Sequence, residues 1–271
     1  MSEHQAKSQS FAQLDAERNC GLTLLGVRHR ADQRSAHLSS FVGSTERVAA
    51  PAGKTPSGER PISATRKTRP GSRHQRGVGS VSFNGLELET APGEVMTPRA
   101  TSERLVAEAC ARISGRARVA DVGTGSGAIA IAIAANCTDA LVWATDVDAR
   151  AVALARANVR RHGLDDRVFV RRGDLLQAVP GRLDVIAANL PYLGASAAAD
   201  RRDLRGEPFT AVFAPGDGLD AYRRLVTVAA KKLMPTGTLL VQFHRRVLVA
   251  RRPQLAELRR TLETRSDERA A

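Results

Sequence analysis

Two short segments concentrate residues that could handle a ligand. The first is Asp121, Val122, Gly123, Thr124, Gly125, Ser126 and Gly127, directly after the strand-like run Ala117–Ala120. Alternate glycines permit a tight turn from strand to helix and let the backbone come close to a ligand. An acidic residue opens the turn, and the spacing is G-x-G-x-G rather than the G-x-G-x-x-G of dinucleotide sites. That form suits the carboxypropyl tail and sulfonium of S-adenosylmethionine better than a pyrophosphate. Asp146 closes the next apolar stretch, where a carboxylate accepts from both ribose hydroxyls. Asp174 closes the third, within reach of an adenine amino group. Each acidic residue taken singly is equally a helix cap or a solvated turn. Their recurrence at successive strand ends predicts cofactor contacts at Asp121, Gly123, Thr124, Gly125, Gly127, Asp146 and Asp174.

The second segment, Asn189, Leu190, Pro191 and Tyr192, follows the apolar run Val185–Ala188. In open α/β sheets ligands sit at the carboxyl ends of the strands, where this tetrapeptide falls. Its residue types fit transfer of a methyl group to a planar nitrogen. An amide or aromatic amine is a poor nucleophile because its lone pair is delocalised. If the Asn189 side-chain oxygen and the Leu190 carbonyl accept its N–H hydrogens, the lone pair turns toward the methyl group, and transfer proceeds by positioning and electrostatics. Pro191 fixes the loop, and Tyr192 offers a face on which a planar target stacks. Alone, the tetrapeptide could be an ordinary turn. Its place downstream of the glycine turn makes Asn189, Pro191 and Tyr192 the catalytic candidates, with Asn189 also facing the cofactor.

The elements needed to hold these segments are legible around them. From Val81, two short strands surround an Asn-Gly turn, followed by a Pro-Gly turn. Thr101 or Ser102 with the following acidic residue opens a helix over Thr101–Ile113 in the manner of a capping box. Strands and helices then alternate: ARVADVG, SGAIAIAIAAN, ALVWATD, DARAVALARANVRRHG, RVFVRRGD, RLDVIAANLPY, GLDAYRRLVTVAAKKL and GTLLVQF. This rhythm predicts an α/β fold, a mostly parallel sheet with helices on both faces. After Phe243 the reading offers a basic helix and no final strand, with His244, Arg245 and Arg246 as a solvated strand end.

Residues 1–80 read differently. From Ser39 to Ser80 the chain is rich in Ser, Gly, Pro, Thr and Arg, a composition that cannot bury enough apolar surface to offset its ordering entropy. Only Phe11–Val27 suggests a short helix or strand, at LTLLGV. The expected division is therefore a basic, largely disordered segment over 1–80 and a catalytic domain over 81–271. The net charge of +13 is weighted toward the first segment, which holds 13 Lys and Arg against 6 Asp and Glu. That balance suits contact with nucleic acid through the basic arm, or a surface charge without purpose. No apolar run approaches a membrane span and the N-terminus carries no secretory h-region. Cys20, Cys110 and Cys137 are widely spaced, which argues against disulfides and zinc and for a reduced, cytoplasmic setting.

From about Val81 to Phe243 the chain resembles the release-factor glutamine methyltransferases, class I enzymes with a Rossmann-like sheet. Their Asn-Pro-Pro-Tyr loop is similar to Asn189, Pro191 and Tyr192, with Leu190 in place of the first proline. Their Pro-Arg-x-x-Thr-Glu segment resembles Pro98, Arg99, Ser102 and Glu103. A further family stretch resembles Glu207, Pro208, Gly216, Asp217, Gly218, Leu219, Tyr222 and Arg223. The resemblance implies S-adenosylmethionine as cofactor and a glutamine side-chain amide as acceptor, in a release factor or a ribosomal protein. Two departures stand out: the family's small helical domain has no counterpart in residues 1–80, and its closing antiparallel strands have none after Phe243. Asn-Leu-Pro-Tyr also resembles the loop of adenine N6 methyltransferases acting on RNA or DNA. A degenerate, non-catalytic binding module is the third reading.

Overall fold

The computed structural model describes residues 23–25, 79–194, 204–243 and 245–267. Strand β1 (Thr23–Leu25) comes first, then a hairpin of β2 (Gly79–Phe83) and β3 (Leu86–Thr90). Asn84 and Gly85, at φ 52° and 74°, make its two-residue turn, as the Asn-Gly pair predicts. Helix α1 (Glu103–Cys110) leads into β4 (Arg118–Val122), α2 (Ala128–Asn136), β5 (Leu141–Asp146), α3 (Ala149–Arg161), β6 (Val168–Arg172) and β7 (Leu183–Ala188). Two-residue strands β8 (Leu193–Gly194) and β9 (Phe213–Ala214) flank a short helix α4 (Phe209–Val212). Helix α5 (Asp220–Lys232), strands β10 (Leu233–Phe243) and β11 (Arg246–Arg251), and helix α6 (Leu255–Asp267) complete the chain.

Among the described residues the main sheet has seven strands in the order β1-β11-β10-β7-β4-β5-β6. Strands β10, β7, β4, β5 and β6 run parallel, and β11 is antiparallel to both β10 and β1. Alternation along each strand divides the core. Val119, Val185, Ala187 and Leu240 face a layer made with α1, α2, α3 and the β2–β3 hairpin. Ala120, Ile186, Ala188, Leu239 and Val241 face the opposite layer, made with α5 and α6. Helices thus cover both faces, and the strands are apolar on both, as a parallel sheet requires. Helix α2 is apolar all round, with every residue from Ala128 to Ala134 buried, because it lies inside its layer rather than on the surface.

The expectation of no final strand fails. Arg246–Arg251 is a strand, paired residue by residue with β10 from Phe243↔Arg246 to Thr238↔Arg251. Its four apolar residues, Val247 to Ala250, are buried, while arginines at both ends gave the run the look of a solvated stretch. The basic helix follows it, starting at Leu255. The LTLLGV segment resolves as strand β1, which occupies the sheet edge beside β11. The remaining expectations for residues 1–22 and 26–78, including disorder, Cys20 and the basic arm, lie outside the described residues, as does His244.

Candidate functional site

The glycine turn sits where β4 ends and α2 begins. Asp121, the penultimate residue of β4, is fully buried. Its Oδ2 accepts from the Thr124 hydroxyl at 2.6 Å and from the Ala130 N–H at 3.1 Å. Its Oδ1 is buried and has no hydrogen-bond partner among the described residues. Burial pushes the carboxyl up to about 7, against the two hydrogen bonds, which lower it, and with a smaller push from the nearby Asp146. A cation beside Oδ1 would satisfy this group. Gly123 and Thr124 donate their N–H groups to the Thr145 carbonyl at the end of β5, which fixes the turn to the sheet. Gly123 has φ +73°, and a Cβ there would lie 2.6 Å from the Leu190 side chain. Only a glycine leaves room for that leucine.

Asp146 does not stand free, as its expected ribose role would suggest. Its Oδ2 accepts from the Gly125 N–H at 3.0 Å and its Oδ1 from the Asp148 N–H at 3.0 Å. The carboxylate ties the glycine turn to the start of α3, and each oxygen keeps a second lone pair for a ligand. Gly127 directly precedes α2 and backs onto Ala155 of α3. Asp121, Gly123, Thr124, Gly125, Gly127 and Asp146 are therefore one cluster. Asp174 stands apart. It lies two residues beyond β6, forms an ion pair with Arg224 of α5, and lines a separate groove with Leu175, Arg224 and Lys231.

Asn189 to Tyr192 follow β7 and line a cavity of about 160 Å³, with Met96, Arg99, Ser102, Leu204, Val212 and Arg245 among its walls. The Asn189 Nδ2 donates to the Ser102 Oγ at 3.1 Å. Ser102 was expected to cap α1. It makes no side-chain cap bond; it precedes the helix as the end of a 3-10 turn, Ala100–Ser102. The Leu190 carbonyl, expected to accept from the target, lies 2.9 Å from the Tyr222 hydroxyl and shares its one proton with the Gln242 carbonyl, also at 2.9 Å, while the Leu190 N–H donates to the hydroxyl oxygen at 2.9 Å. One carbonyl lone pair remains for a second donor. Tyr192 meets Phe243 edge to face at 5.8 Å between ring centres.

Several residues that shape this site carried weak signals. Tyr222 is completely buried, and burial raises its hydroxyl above the usual tyrosine range, so it stays a donor at any physiological pH. Gln242, a lone polar residue in the apolar run of β10, donates from Nε2 to the Thr101 carbonyl at 3.2 Å and holds the 3-10 turn. Glu207 accepts from the Thr97 N–H at 3.0 Å and from Arg99 at 3.3 Å, which joins the two segments flanking the cavity. The backbone at Gly218 presses so closely on Tyr192 that a Cβ would lie 2.5 Å from the Tyr192 carbonyl oxygen. Arg245, expected to be a solvated strand end, is exposed but stands on the cavity wall.

A methyltransferase small domain model matches residues 101–202. The chain is similar to a release factor glutamine methyltransferase of Gloeobacter violaceus, 37% identical over 187 residues, covering 67% of this chain and 63% of that protein. It is 44% identical over 169 residues to the release factor glutamine methyltransferase of Xylella fastidiosa, covering 61% of each. The chain thus spans less than two thirds of the length of these curated relatives. A solved RNA methyltransferase from Salinibacter ruber, in complex with S-adenosyl-L-homocysteine, matches at 19% identity and a TM-score of 0.39, over 57% of this chain and 91% of that one. No described helix is long and apolar enough to cross a membrane.

Proposed function

From the similarity of this chain to release factor glutamine methyltransferases, we propose that it is an S-adenosylmethionine-dependent N-methyltransferase acting on a glutamine side-chain amide in a protein of the translation apparatus, a release factor first. The observation that carries this is the Asn189 amide. Its nitrogen is committed to Ser102, no described group donates to its oxygen, and it lines a cavity beside the glycine turn. A pair of acceptors at Asn189 Oδ1 and the Leu190 carbonyl matches the two hydrogens of a primary amide.

The residues of the glycine turn fit the cofactor. Asp121 keeps a buried oxygen without a partner beside the turn, and positive φ at Gly123, Gly125 and Gly127 gives the turn a backbone that favours residues with no side chain. Asp121, Gly123, Thr124, Gly125, Gly127 and Asp146 would hold S-adenosylmethionine, with Asn189 facing its methyl group from the acceptor side. Asp174 would reach an adenine amino group in competition with Arg224. When bound, the cofactor would supply an electrophilic methyl group, with its sulfonium sulfur as the leaving group.

The chain's own part is orientation. Asn189 and the Leu190 carbonyl would take the amide hydrogens and so hold the nitrogen lone pair toward the methyl carbon; as the N–C bond forms, one of these hydrogens would leave as a proton to water. Pro191 and Tyr192 wall the cavity, and Met96, Leu204 and Val212 give it apolar surface. Such an enzyme works in the cytoplasm, where its substrate is.

The test is transfer of labelled methyl from S-adenosylmethionine to purified release factor, with ribosomal proteins and RNA in parallel. Label in the release factor that is released by protease and absent after Gln→Ala at the acceptor supports the reading. Label released by nuclease instead would assign an adenine amino group as the acceptor. No label in any fraction would leave the chain a binding module.

A further inference from the structure

We propose that Ser102 is a positioning residue that sets which end of the Asn189 amide faces the acceptor. The inference deepens the methyl-transfer reading and rests on it for its kinetic arm. A primary amide has two orientations related by a half turn about its last bond, and they present opposite hydrogen-bonding character. With the oxygen toward the cavity, Asn189 accepts from an incoming N–H. With the nitrogen there, it opposes N–H with N–H. Neither a strand end nor a loop selects between them; a fixed partner that takes the nitrogen must.

Ser102 is placed to be that partner. Its Oγ accepts from Asn189 Nδ2 at 3.1 Å, and the residue is 7% exposed, so water competes poorly for the contact. The hydroxyl is not spent on α1, whose first turn receives no side-chain cap from it. The turn that carries Ser102 is itself anchored to the sheet, through the bond from Gln242 of β10 to the Thr101 carbonyl. A line of polar contacts therefore runs from β10 through Thr101 and Ser102 to Asn189 at the end of β7. It crosses one wall of the cavity and leaves the Asn189 oxygen as the end that faces a substrate.

The experiment uses the full chain with asparagine side chains labelled with nitrogen-15. Without any cofactor, the Asn189 amide, assigned by its loss in Asn189→Ala, is expected to show one proton slowed in exchange and shifted downfield. In Ser102→Ala both protons are expected to exchange at solvent-exposed rates, and Ser102→Thr is expected to restore the wild-type signature. An Asn189 signal unchanged by Ser102→Ala overturns the proposal, whatever the enzyme methylates. In steady-state transfer, Ser102→Ala is expected to lower kcat by about tenfold to a hundredfold, with cofactor Kd and melting temperature near wild type. In an Asn189→Ala background it is expected to add nothing further, and an additive loss there also overturns the proposal. If the wild-type chain labels no acceptor, the methyl-transfer reading fails, and the nuclear magnetic resonance result still decides the role of Ser102.

Discussion

Asp121 carries the clearest acid–base signature at the residue scale. An ordinary aspartate carboxyl has a value of 3.8, and burial raises this one to about 7 in the folded chain. Between those values the folded state holds a proton that the unfolded state has released. Stability then falls as pH rises through the window and levels off above about 7, by an amount on the order of a few kcal/mol. Asp121→Asn keeps an oxygen for Thr124 and Ala130 and cannot ionise. Its melting temperature, compared with wild type from pH 4 to pH 8, is expected to lose this downward slope. Parallel curves for the two proteins would contradict the assignment. Asn189→Ala is expected to reduce transfer by at least about a hundredfold while cofactor affinity changes little, as measured by titration calorimetry. Equal losses in both would move Asn189 from the acceptor to the cofactor. The positions of the candidate residues in the fold were legible because glycine, aspartate and asparagine were read at strand ends. Their partners were less so: Ser102 has the same residue type and spacing whether it caps a helix or holds an amide, and only the direction of its side chain separates the two.

Elements place these residues by pressing one loop on another. The Gly216–Gly218 loop before α5 lies against the backbone of Tyr192 to Gly194, where β8 pairs with β9. Gly218 has φ +87°, and its missing Cβ is what permits the approach. Gly218→Ala is expected to cost about 1–3 kcal/mol in urea unfolding and to weaken transfer more than cofactor binding, since the displaced segment belongs to the acceptor side. A variant with normal transfer and normal stability would show that the two loops yield freely. The strands β4, β5 and β7 were readable as apolar runs because both of their faces are buried, and β6 and β10 through their buried segments Val168–Val170 and Gly237–Gln242. Strand β11 was not. A run of four apolar residues between arginines has no period to distinguish it from a strand end, and its pairing depends on β10, whose position no local pattern gives. The 3-10 turn at Ala100–Ser102 was hidden for the same reason: its anchor, Gln242, is far along the chain.

At the scale of the whole molecule, the sheet closes with a strand from near the beginning of the chain. Thr23–Leu25 pairs with Val247–Val249 at the edge of the sheet. We expect a chain of residues 76–271 still to unfold cooperatively, because the remaining strands carry both core layers. Loss of that edge strand uncovers the N–H and C=O groups of β11, so the truncated chain is expected to self-associate as concentration rises, visible in sedimentation velocity. A truncated chain with no cooperative transition would place more of the fold in the first segment than these three residues. This placement also has a consequence for synthesis. Translation delivers β1 first and its partner β11 nearly last, whereas β4, β5, β6, β7 and β10 emerge in sequence and can pair as they appear. The glycine turn and the Asn189 loop can therefore take shape on the nascent chain, while the edge of the sheet waits for β11 to emerge.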